Sequence, residues 1–244
     1  MTKSVVLFEV QGNFASGKTM LINHVKRIIN DRSEEETEFH FIKEPQLNDI
    51  FESAFTLRRS AAAYVSALIS HYYFELTNVL NYIVCKYQAD GRLVKNHVII
   101  MEKGLSACIN VYIPMMRCHR LLEARDCGLL TQIAQSHEKA LKSMIEFRTV
   151  YFFLVTDWVD ACINLIYNIY RKASISEKET RKCEQLLESW CFQLDDNSIQ
   201  GSQNSILRFM FEKIPDLKYP LSNAELISEL ELNPNSTWGK RKKT

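Results

Sequence analysis

Residues 5–19 read VVLFEVQGNFASGKT, and this stretch decides the fold class. Val5–Val10 is a short apolar run, which is typical of a buried parallel strand. The next eight residues, Gly12-Asn13-Phe14-Ala15-Ser16-Gly17-Lys18-Thr19, match the pattern G-x-x-x-x-G-K-[ST]. A helical pattern follows from Thr19 to Asn30. The motif therefore has a strand before it and a helix after it, which is the context that a phosphate-binding loop requires.

The residue types of the motif suit the binding of phosphates. Glycines let the backbone curl until its N–H groups converge on phosphate oxygens. Lys18 would reach the β and γ phosphates, and Thr19 would offer a hydroxyl to Mg²⁺ at the positive end of a helix. A chance glycine-containing turn is the plain alternative. We expect Gly12–Thr19 to hold ATP or a similar nucleotide with its Mg²⁺.

Further strand and helix patterns alternate along the chain. The long segment Ser60–Tyr87 is helical in pattern and rich in Ala, Tyr and Leu. Such alternation favours an α/β fold, with a parallel sheet that helices cover on both faces. The predicted later strands are Phe39–Lys43, His97–Met101, Val150–Val155 and, more weakly patterned, Ser205–Phe211.

Composition limits the classes of function. The chain has 244 residues and a net charge of +1, so no overall field recruits nucleic acid or a membrane. No apolar run approaches the roughly 20 residues of a membrane helix, and no signal peptide is recognised. Seven cysteines occur without a Cys-x-x-Cys pair, which fits neither a zinc site nor a disulfide framework. We expect a reducing compartment, the cytoplasm or the nucleus.

The sequence predicts one domain over residues 1–232, with a lid region at about 167–178. Residues 233–244 read as a basic, flexible tail that contains Lys240-Arg241-Lys242-Lys243. This tail matches a short nuclear localisation pattern, and a solubilising end is the equal alternative.

Charged residues follow two of the predicted strands. Glu44 follows the second strand, and Glu102 and Lys103 follow the third. In an open α/β sheet the ligand lies outside the carboxyl ends of the strands, so these groups are expected to converge beside a transferred phosphoryl group. A carboxylate can accept the proton of an attacking hydroxyl, and a cation can stabilise developing charge. Solvated strand ends are the alternative interpretation.

These residues resemble the deoxyribonucleoside kinase family, whose phosphate loop typically reads E-G-N-I-G-S-G-K-T. The family's Glu-Pro after strand two is matched by Glu44-Pro45, and its Glu-Arg-Ser is partly matched by Glu102-Lys103-Gly104. The segment Glu184–Trp190 is similar to the family's late helix, so the likeness runs unevenly over about residues 4–212.

The resemblance implies a P-loop kinase-type three-layer α/β fold with a five-stranded parallel sheet flanked by helices. It also implies a homodimer that transfers the γ-phosphoryl group of ATP to the 5′-hydroxyl of a deoxynucleoside. It implies that Glu44 is the general base and that Lys103 and the lid residue Arg171 stabilise charge. Thr19 and Glu102 would hold Mg²⁺. The segment Ser60–Tyr87 is long enough to form a core helix or a dimer helix, and the expected homodimer would pair through it.

Three departures from the family keep alternatives open. Ala61-Ala62-Ala63-Tyr64 stands where the family has Phe-Gln-x-Tyr, so the base-reading amide is missing. Lys103 replaces an arginine, and the lid offers only Arg171 and Lys172. A nucleotide-binding pseudokinase with a structural or regulatory role is therefore a second hypothesis. A thymidylate-type nucleoside monophosphate kinase is a third, because Lys43-Glu44-Pro45 is similar to the Arg-Glu-Pro of those enzymes.

Overall fold

The computed structural model describes residues 3–13, 16–30, 36–45, 47, 53–54, 57–154, 177–194, 198–201 and 203–213. The strands are β1 (Val5–Gly12), β2 (Thr37–Ile42), β3 (Asn96–Glu102), β4 (Arg148–Leu154) and β5 (Ser198–Gly201). The helices are α1 (Lys18–Asn30), α2 (Arg58–Asp90), α3 (Leu105–Ala107), α4 (Ile113–Cys118), α5 (Ala124–Met144), α6 (Glu177–Phe192) and α7 (Gln203–Lys213). A single π-helical turn, Cys108–Tyr112, joins α3 to α4.

The five strands form one parallel sheet in the order β2-β3-β1-β4-β5, which confirms the predicted α/β class. Val10 of β1 pairs with Glu102 of β3, and Gly12 pairs with Leu154 of β4. The chain leaves β1 toward one edge of the sheet and leaves β3 toward the other. A crevice therefore opens at the carboxyl ends of β1 and β3, where ligands bind in sheets of this kind.

The sheet is buried on both faces because successive residues of a strand point to opposite sides. Leu7 of β1 packs on the side that carries α2 and α5, and Phe8 packs on the side that carries α1 and α7. Phe8 meets Phe152 edge-on, with ring centroids 5.1 Å apart. The result is the expected arrangement of helices, sheet and helices in three layers.

The predicted fifth strand, Ser205–Phe211, is wrong, because these residues lie in α7. Ile206, Leu207 and Met210 are buried, whereas Ser205 and Arg208 are exposed. This spacing follows the 3.6-residue period of a helix rather than the alternation of a strand. The fifth strand is instead the four-residue segment Ser198–Gly201, which pairs with β4.

The long helix α2 extends beyond the predicted Ser60–Tyr87 at both ends and stops at Gly91, whose φ of 66° is left-handed. None of the helices that the structure describes is long and apolar enough to cross a membrane. Residues 155–176, which hold most of the predicted lid with Arg171, and the predicted tail 233–244 lie outside the described residues.

Candidate active site

The loop between β1 and α1 is shaped by two glycines. Gly12 has a φ of 156°, and a Cβ atom there would lie 2.6 Å from the Ser16 hydroxyl oxygen. Gly17 has a φ of 89°, which side-chain-bearing residues rarely adopt. These two positions need glycine, and Gly17 directly precedes Lys18, the first residue of α1. Phe14 and Ala15, which were predicted to bind nucleotide, lie outside the described residues.

The Lys18 ammonium lies folded into this loop. It donates to the carbonyl oxygens of Asn13 at 2.7 Å and Gly12 at 3.2 Å, and to the Ser16 hydroxyl at 3.4 Å. Burial, and after it the nearby Lys103, lowers the pKa of Lys18 to about 8. The loop therefore keeps a buried cation at the place where the motif calls for one, and carbonyl oxygens hold it in position.

Thr19 and Glu102 are joined across the crevice. The Thr19 hydroxyl lies 2.8 Å and 3.0 Å from the two carboxylate oxygens of Glu102. Thr19 is at the exposed start of α1, and Glu102 is the buried last residue of β3. A hydroxyl beside a carboxylate offers the oxygen ligands that Mg²⁺ prefers, so these two side chains fit the predicted metal role.

Lys103 is aimed into the site by a strained turn. Its φ of 65° places it in the left-handed region, which costs a non-glycine residue about 1 kcal/mol or more. Its N–H donates to the carbonyl oxygen of Val10 at 3.0 Å, which fixes the turn to β1. Gly104 follows with a φ of 147°. The hydrogen bond to β1 holds this strained turn, which brings the Lys103 ammonium to the carboxylate of Glu44.

Lys103, Glu44 and Tyr112 form a cluster beside the loop, in which Lys103 and Tyr112 are buried and Glu44 is partly exposed. The Lys103 ammonium lies 2.6 Å from Glu44 Oε1 and contacts the Tyr112 hydroxyl, which in turn donates to Glu44 Oε1 at 3.4 Å. His71 of α2 donates to the Lys43 carbonyl oxygen at 2.9 Å and so anchors the segment that carries Glu44.

In this cluster Glu44 and Lys103 each stabilise the charged form of the other. Burial alone would raise the pKa of Glu44, but Lys103, Lys18 and hydrogen bonds outweigh burial, and the pKa falls below its usual value. Burial alone would lower the pKa of Lys103, and Glu44 outweighs it so that the pKa rises. Glu44 is therefore a carboxylate at neutral pH, which is the form that a general base requires.

A cavity of about 10 Å³ lies between this cluster and α6. It is lined by Gln11, Gly12, Lys103, Ala107, Val111, Tyr112, Cys183 and Leu187. This volume suits about one water molecule, whereas pockets for drug-sized ligands measure roughly 300–1,000 Å³. In this conformation Cys183 and Leu187 of α6 cover the crevice on the side of Lys103 and Tyr112.

The structure thus brings together the nine predicted site residues that it describes: Gly12, Asn13, Ser16, Gly17, Lys18, Thr19, Glu44, Glu102 and Lys103. Arg171 lies outside the described residues. Among the described residues, no group of three or more His, Cys, Asp or Glu side chains could hold a metal ion by itself. Bound Mg²⁺ would need the nucleotide's own oxygens together with Thr19 and Glu102.

Sequence reasoning missed Tyr112 and Glu9. Tyr112 reaches Glu44 from the π-helical turn, and no motif marks it. Glu9 is a buried carboxyl group in the middle of β1, and burial, reinforced by Glu138, raises its pKa to about 8. A signal for Glu9 was available, because a glutamate inside the apolar run VVLFEV is costly to bury without a purpose.

No protein-family model matches the chain, and no curated protein matches it. The resemblance to deoxyribonucleoside kinases therefore rests on the motif residues quoted above. Membership of that family stays a prediction, whereas the structure establishes the fold.

Proposed function

We propose that the protein is an ATP- and Mg²⁺-dependent phosphotransferase whose acceptor is the 5′-hydroxyl of a deoxynucleoside. One observation carries the proposal. The phosphate loop, the Thr19–Glu102 pair and the Glu44–Lys103 pair converge at the carboxyl ends of β1, β2 and β3. A cation for phosphates, oxygen ligands for a metal and an ionised carboxylate therefore meet at one crevice.

Each side chain has a distinct task in this proposal. Lys18 and the main-chain N–H groups of the loop bind the β and γ phosphates. Thr19 and Glu102 would hold Mg²⁺, which supplies positive charge against the phosphate oxygens. Glu44 accepts the proton of the acceptor hydroxyl, and Lys103 holds Glu44 in place and stabilises charge near that hydroxyl.

Acceptor binding requires the crevice to open. The present cavity of about 10 Å³ is too small for a nucleoside, and Cys183 and Leu187 of α6 form one of its walls. Burial raises the pKa of the Cys183 thiol to about 11, so this wall is uncharged at neutral pH. We infer that α6 moves away from the Lys103–Tyr112 side when an acceptor enters.

A nucleotide-binding pseudokinase is the second candidate, and two observations favour it. Ala61, Ala62 and Ala63 have no polar side-chain atoms, so these three positions of α2 offer a base no side-chain hydrogen bond. In addition, Glu44, the proposed base, is already engaged in an ion pair with Lys103. A thymidylate-type monophosphate kinase is the third candidate, supported by Lys43-Glu44-Pro45 alone.

Radiolabelled ATP offered with each of the four deoxynucleosides and with thymidine monophosphate tests these candidates. Phosphorylation of a deoxynucleoside supports the kinase, and phosphorylation of the monophosphate alone supports the third candidate. ATP binding without any phosphorylated acceptor supports the pseudokinase. Glu44→Gln should lower turnover by roughly 10²–10⁴-fold while ATP affinity is kept, because a general base contributes about that much. Glu38→Gln, which removes a carboxylate from β2 outside the site, is the matched control.

We further propose that the protein is a homodimer that pairs through α2 and α5. These helices pack against each other and expose Phe74 at 62%, Leu129 at 56% and Ile133 at 38%. Apolar side chains on neighbouring helices fit a second copy of the same face. Light scattering at micromolar concentration should give a mass near twice that of the chain, and Phe74→Glu should reduce it to one chain.

A reducing compartment is the proposed location. The six cysteines that the structure describes are all free thiols, and two of them, Cys85 and Cys118, are exposed. Exposed free thiols are typical of the cytoplasm or nucleus rather than of an oxidising compartment. A fusion of residues 233–244 to a fluorescent protein would test the nuclear alternative.

A further inference from the structure

The central strand carries a buried glutamate on the face that leads to the acceptor crevice. Val5, Leu7, Glu9 and Gln11 share this face, because alternate residues of a strand point to the same side. Val5 and Leu7 belong to the apolar core below α2, and Glu9 is only 3% exposed. A carboxyl group in such a row costs free energy unless its oxygens find partners.

The partners of Glu9 are polar and mostly uncharged. Gln11 Nε2 donates to Glu9 Oε2 at 2.9 Å, and the Ser106 hydroxyl donates to Oε1 at 3.3 Å. The Ser106 hydroxyl lies 3.2 Å from the hydroxyl of Tyr151, which pairs with Glu9 across the sheet. A Cβ atom at Gly104 would lie 2.9 Å from the Glu9 carboxyl group, so a glycine makes room for it.

No lysine or arginine among the described residues lies within ion-pair distance of Glu9. The charged groups that influence it from α5 are Glu138 and Lys142, whose effects on the Glu9 carboxyl oppose each other. Glu9 is therefore neither half of a salt bridge nor a group of the proposed transfer reaction. Its shortest hydrogen bond, at 2.9 Å, comes from the carboxamide of Gln11.

Gln11 connects Glu9 to the crevice. Its side chain is buried and lines the same cavity as Lys103 and Tyr112. Because its amide nitrogen donates to Glu9, its amide oxygen is left to accept, and none of the described side chains donates to that oxygen. A neutral carboxyl group also accepts through its carbonyl oxygen, so the carboxamide is oriented in either charge state of Glu9.

We propose that Gln11 is a specificity-determining residue that accepts a hydrogen bond from an N–H or O–H group of the acceptor substrate, and that Glu9 is the positioning residue that orients it. This inference rests on the proposed function and deepens it. The family's base-reading amide is absent from Ala61–Ala63, and Gln11 supplies a carboxamide from β1 instead. Gln11 lies on the central strand, so its place is fixed while α6 moves.

The donor on the substrate can belong to the base or to the sugar. The experiment separates them with thymidine, 3′-deoxythymidine and N3-methylthymidine as acceptors. Steady-state kinetics and calorimetry are measured for the wild-type chain, Gln11→Leu, Glu9→Leu and Glu9→Gln, with ATP affinity measured separately. Gln88→Leu, on the exposed end of α2, is the matched glutamine-to-leucine control.

We expect Gln11→Leu to raise KM for thymidine by about 10–100-fold while ATP affinity stays within twofold, because a donor is left unpaired in a buried site. Glu9→Leu should raise KM in the same direction. Glu9→Gln should restore it, because an amide oxygen at position 9 still accepts from Gln11. The wild-type chain should discriminate against whichever analogue lacks the donor, and Gln11→Leu should lose that discrimination.

Two results overturn the inference, and they are distinguishable. If the wild-type chain phosphorylates thymidine and Gln11→Leu does so with unchanged KM and discrimination, the role of Gln11 is wrong while the proposed function stands. If the wild-type chain binds ATP but phosphorylates none of the four deoxynucleosides, the proposed function and this inference fall together. Equal KM values for Glu9→Leu and Glu9→Gln would remove the positioning role of Glu9.

Discussion

The ammonium of Lys103 lies 2.6 Å from the carboxylate of Glu44, and this contact joins the turn after β3 to the segment after β2. The Lys103 side chain is 6% exposed and that of Glu44 is 25% exposed, so the pair is largely withdrawn from water. Removing one partner of a buried pair leaves an uncompensated charge, which costs more than the intact pair contributes. The two residues therefore depend on each other for stability, and in the proposed reaction also for chemistry.

Lys103→Met should lower the free energy of unfolding by about 2–4 kcal/mol, since Glu44 would keep a partly buried charge without its cation. The pKa of Glu44 should rise in this variant, because burial is then no longer outweighed by Lys103. Urea unfolding at pH 7 of the wild-type chain, both single variants and Glu44→Gln/Lys103→Met completes a double-mutant cycle. The double variant should recover part of the loss, and strictly additive losses would show that the pair is not coupled.

ATP affinity should fall as the pH rises above about 8. The pKa of Lys18 is lowered to about 8 by burial, so the free protein loses this cation through that region. The charged form is the one that binds phosphates, and bound ATP would favour it, so binding at pH 8.5 should take up protons. Calorimetry in buffers of different ionisation enthalpy measures this uptake.

Lys18→Arg supplies the variant that keeps its charge at every pH used. Whatever its affinity, its binding should show no proton uptake at pH 8.5, whereas Lys26→Arg on the exposed face of α1 should behave as wild type. Proton uptake that persists in Lys18→Arg would assign the titration to another group.

Glu9 should make the protein less stable as the pH rises. Its pKa is about 8 in the folded chain and 4.5 as the ordinary value, so the folded state holds a proton that the unfolded state releases between these values. The free energy of unfolding should therefore fall by about 3–5 kcal/mol across this window, and Glu9→Gln should abolish that fall.

Urea unfolding between pH 5 and pH 8.5 measures the effect as the difference between the wild-type chain and Glu9→Gln. The difference is needed because His97 acts in the opposite sense below its ordinary value of 6.5, since burial lowers its pKa to about 4. Glu146→Gln, an exposed carboxylate near β4, is the control. A parallel pH dependence of the wild-type chain and Glu9→Gln would mean that Glu9 is charged in the folded state.

Much of the site could be predicted because it follows from one motif and the ends of two strands. The spacing of Gly12 and Lys18 fixes a loop, and the parallel sheet then brings Glu44 and Glu102 to its edge. The contact of Tyr112 with Glu44 could not be predicted, because a π-helical turn of five residues sets the direction of that side chain. No periodicity in the local sequence predicts a π-helical turn.

The sequence also placed the fifth strand at the wrong residues, for a different reason. Ser198–Gly201 has four residues and a single large apolar side chain, Ile199, so its sequence gives little sign of a strand. It is a strand because β4 offers it a free edge, with Phe152 paired to Ile199. The apolar run that follows was richer in strand-forming residues but belongs to α7, where its buried side chains cover β4 and β5. Tertiary pairing overrode local preference in both segments.

Substitution of Gly104, the glycine that follows Lys103, should impair both stability and turnover. A Cβ atom there would lie 2.6 Å from Met101 Cε and 2.9 Å from the Glu9 carboxyl group, and its φ of 147° disfavours any side chain. Met101 Cε is the end of a flexible side chain and can move, but Glu9 is held by its own hydrogen bonds. Gly104→Ala should therefore destabilise the chain by about 2–4 kcal/mol and displace Lys103, with a loss of turnover larger than any loss of ATP affinity.

Gly128→Ala is the matched substitution, because a Cβ atom at this exposed position of α5 meets nothing within 4 Å. It should stabilise the protein by about 0.5–1 kcal/mol, since alanine favours a helix more than glycine does. Thermal unfolding and steady-state kinetics of the two variants separate crowding at the Lys103 turn from a general intolerance of added methyl groups. If Gly104→Ala has the same thermal stability and turnover as the wild-type chain, the turn accommodates the added methyl group. The strained geometry at Lys103 would then not be needed to hold the ammonium against Glu44.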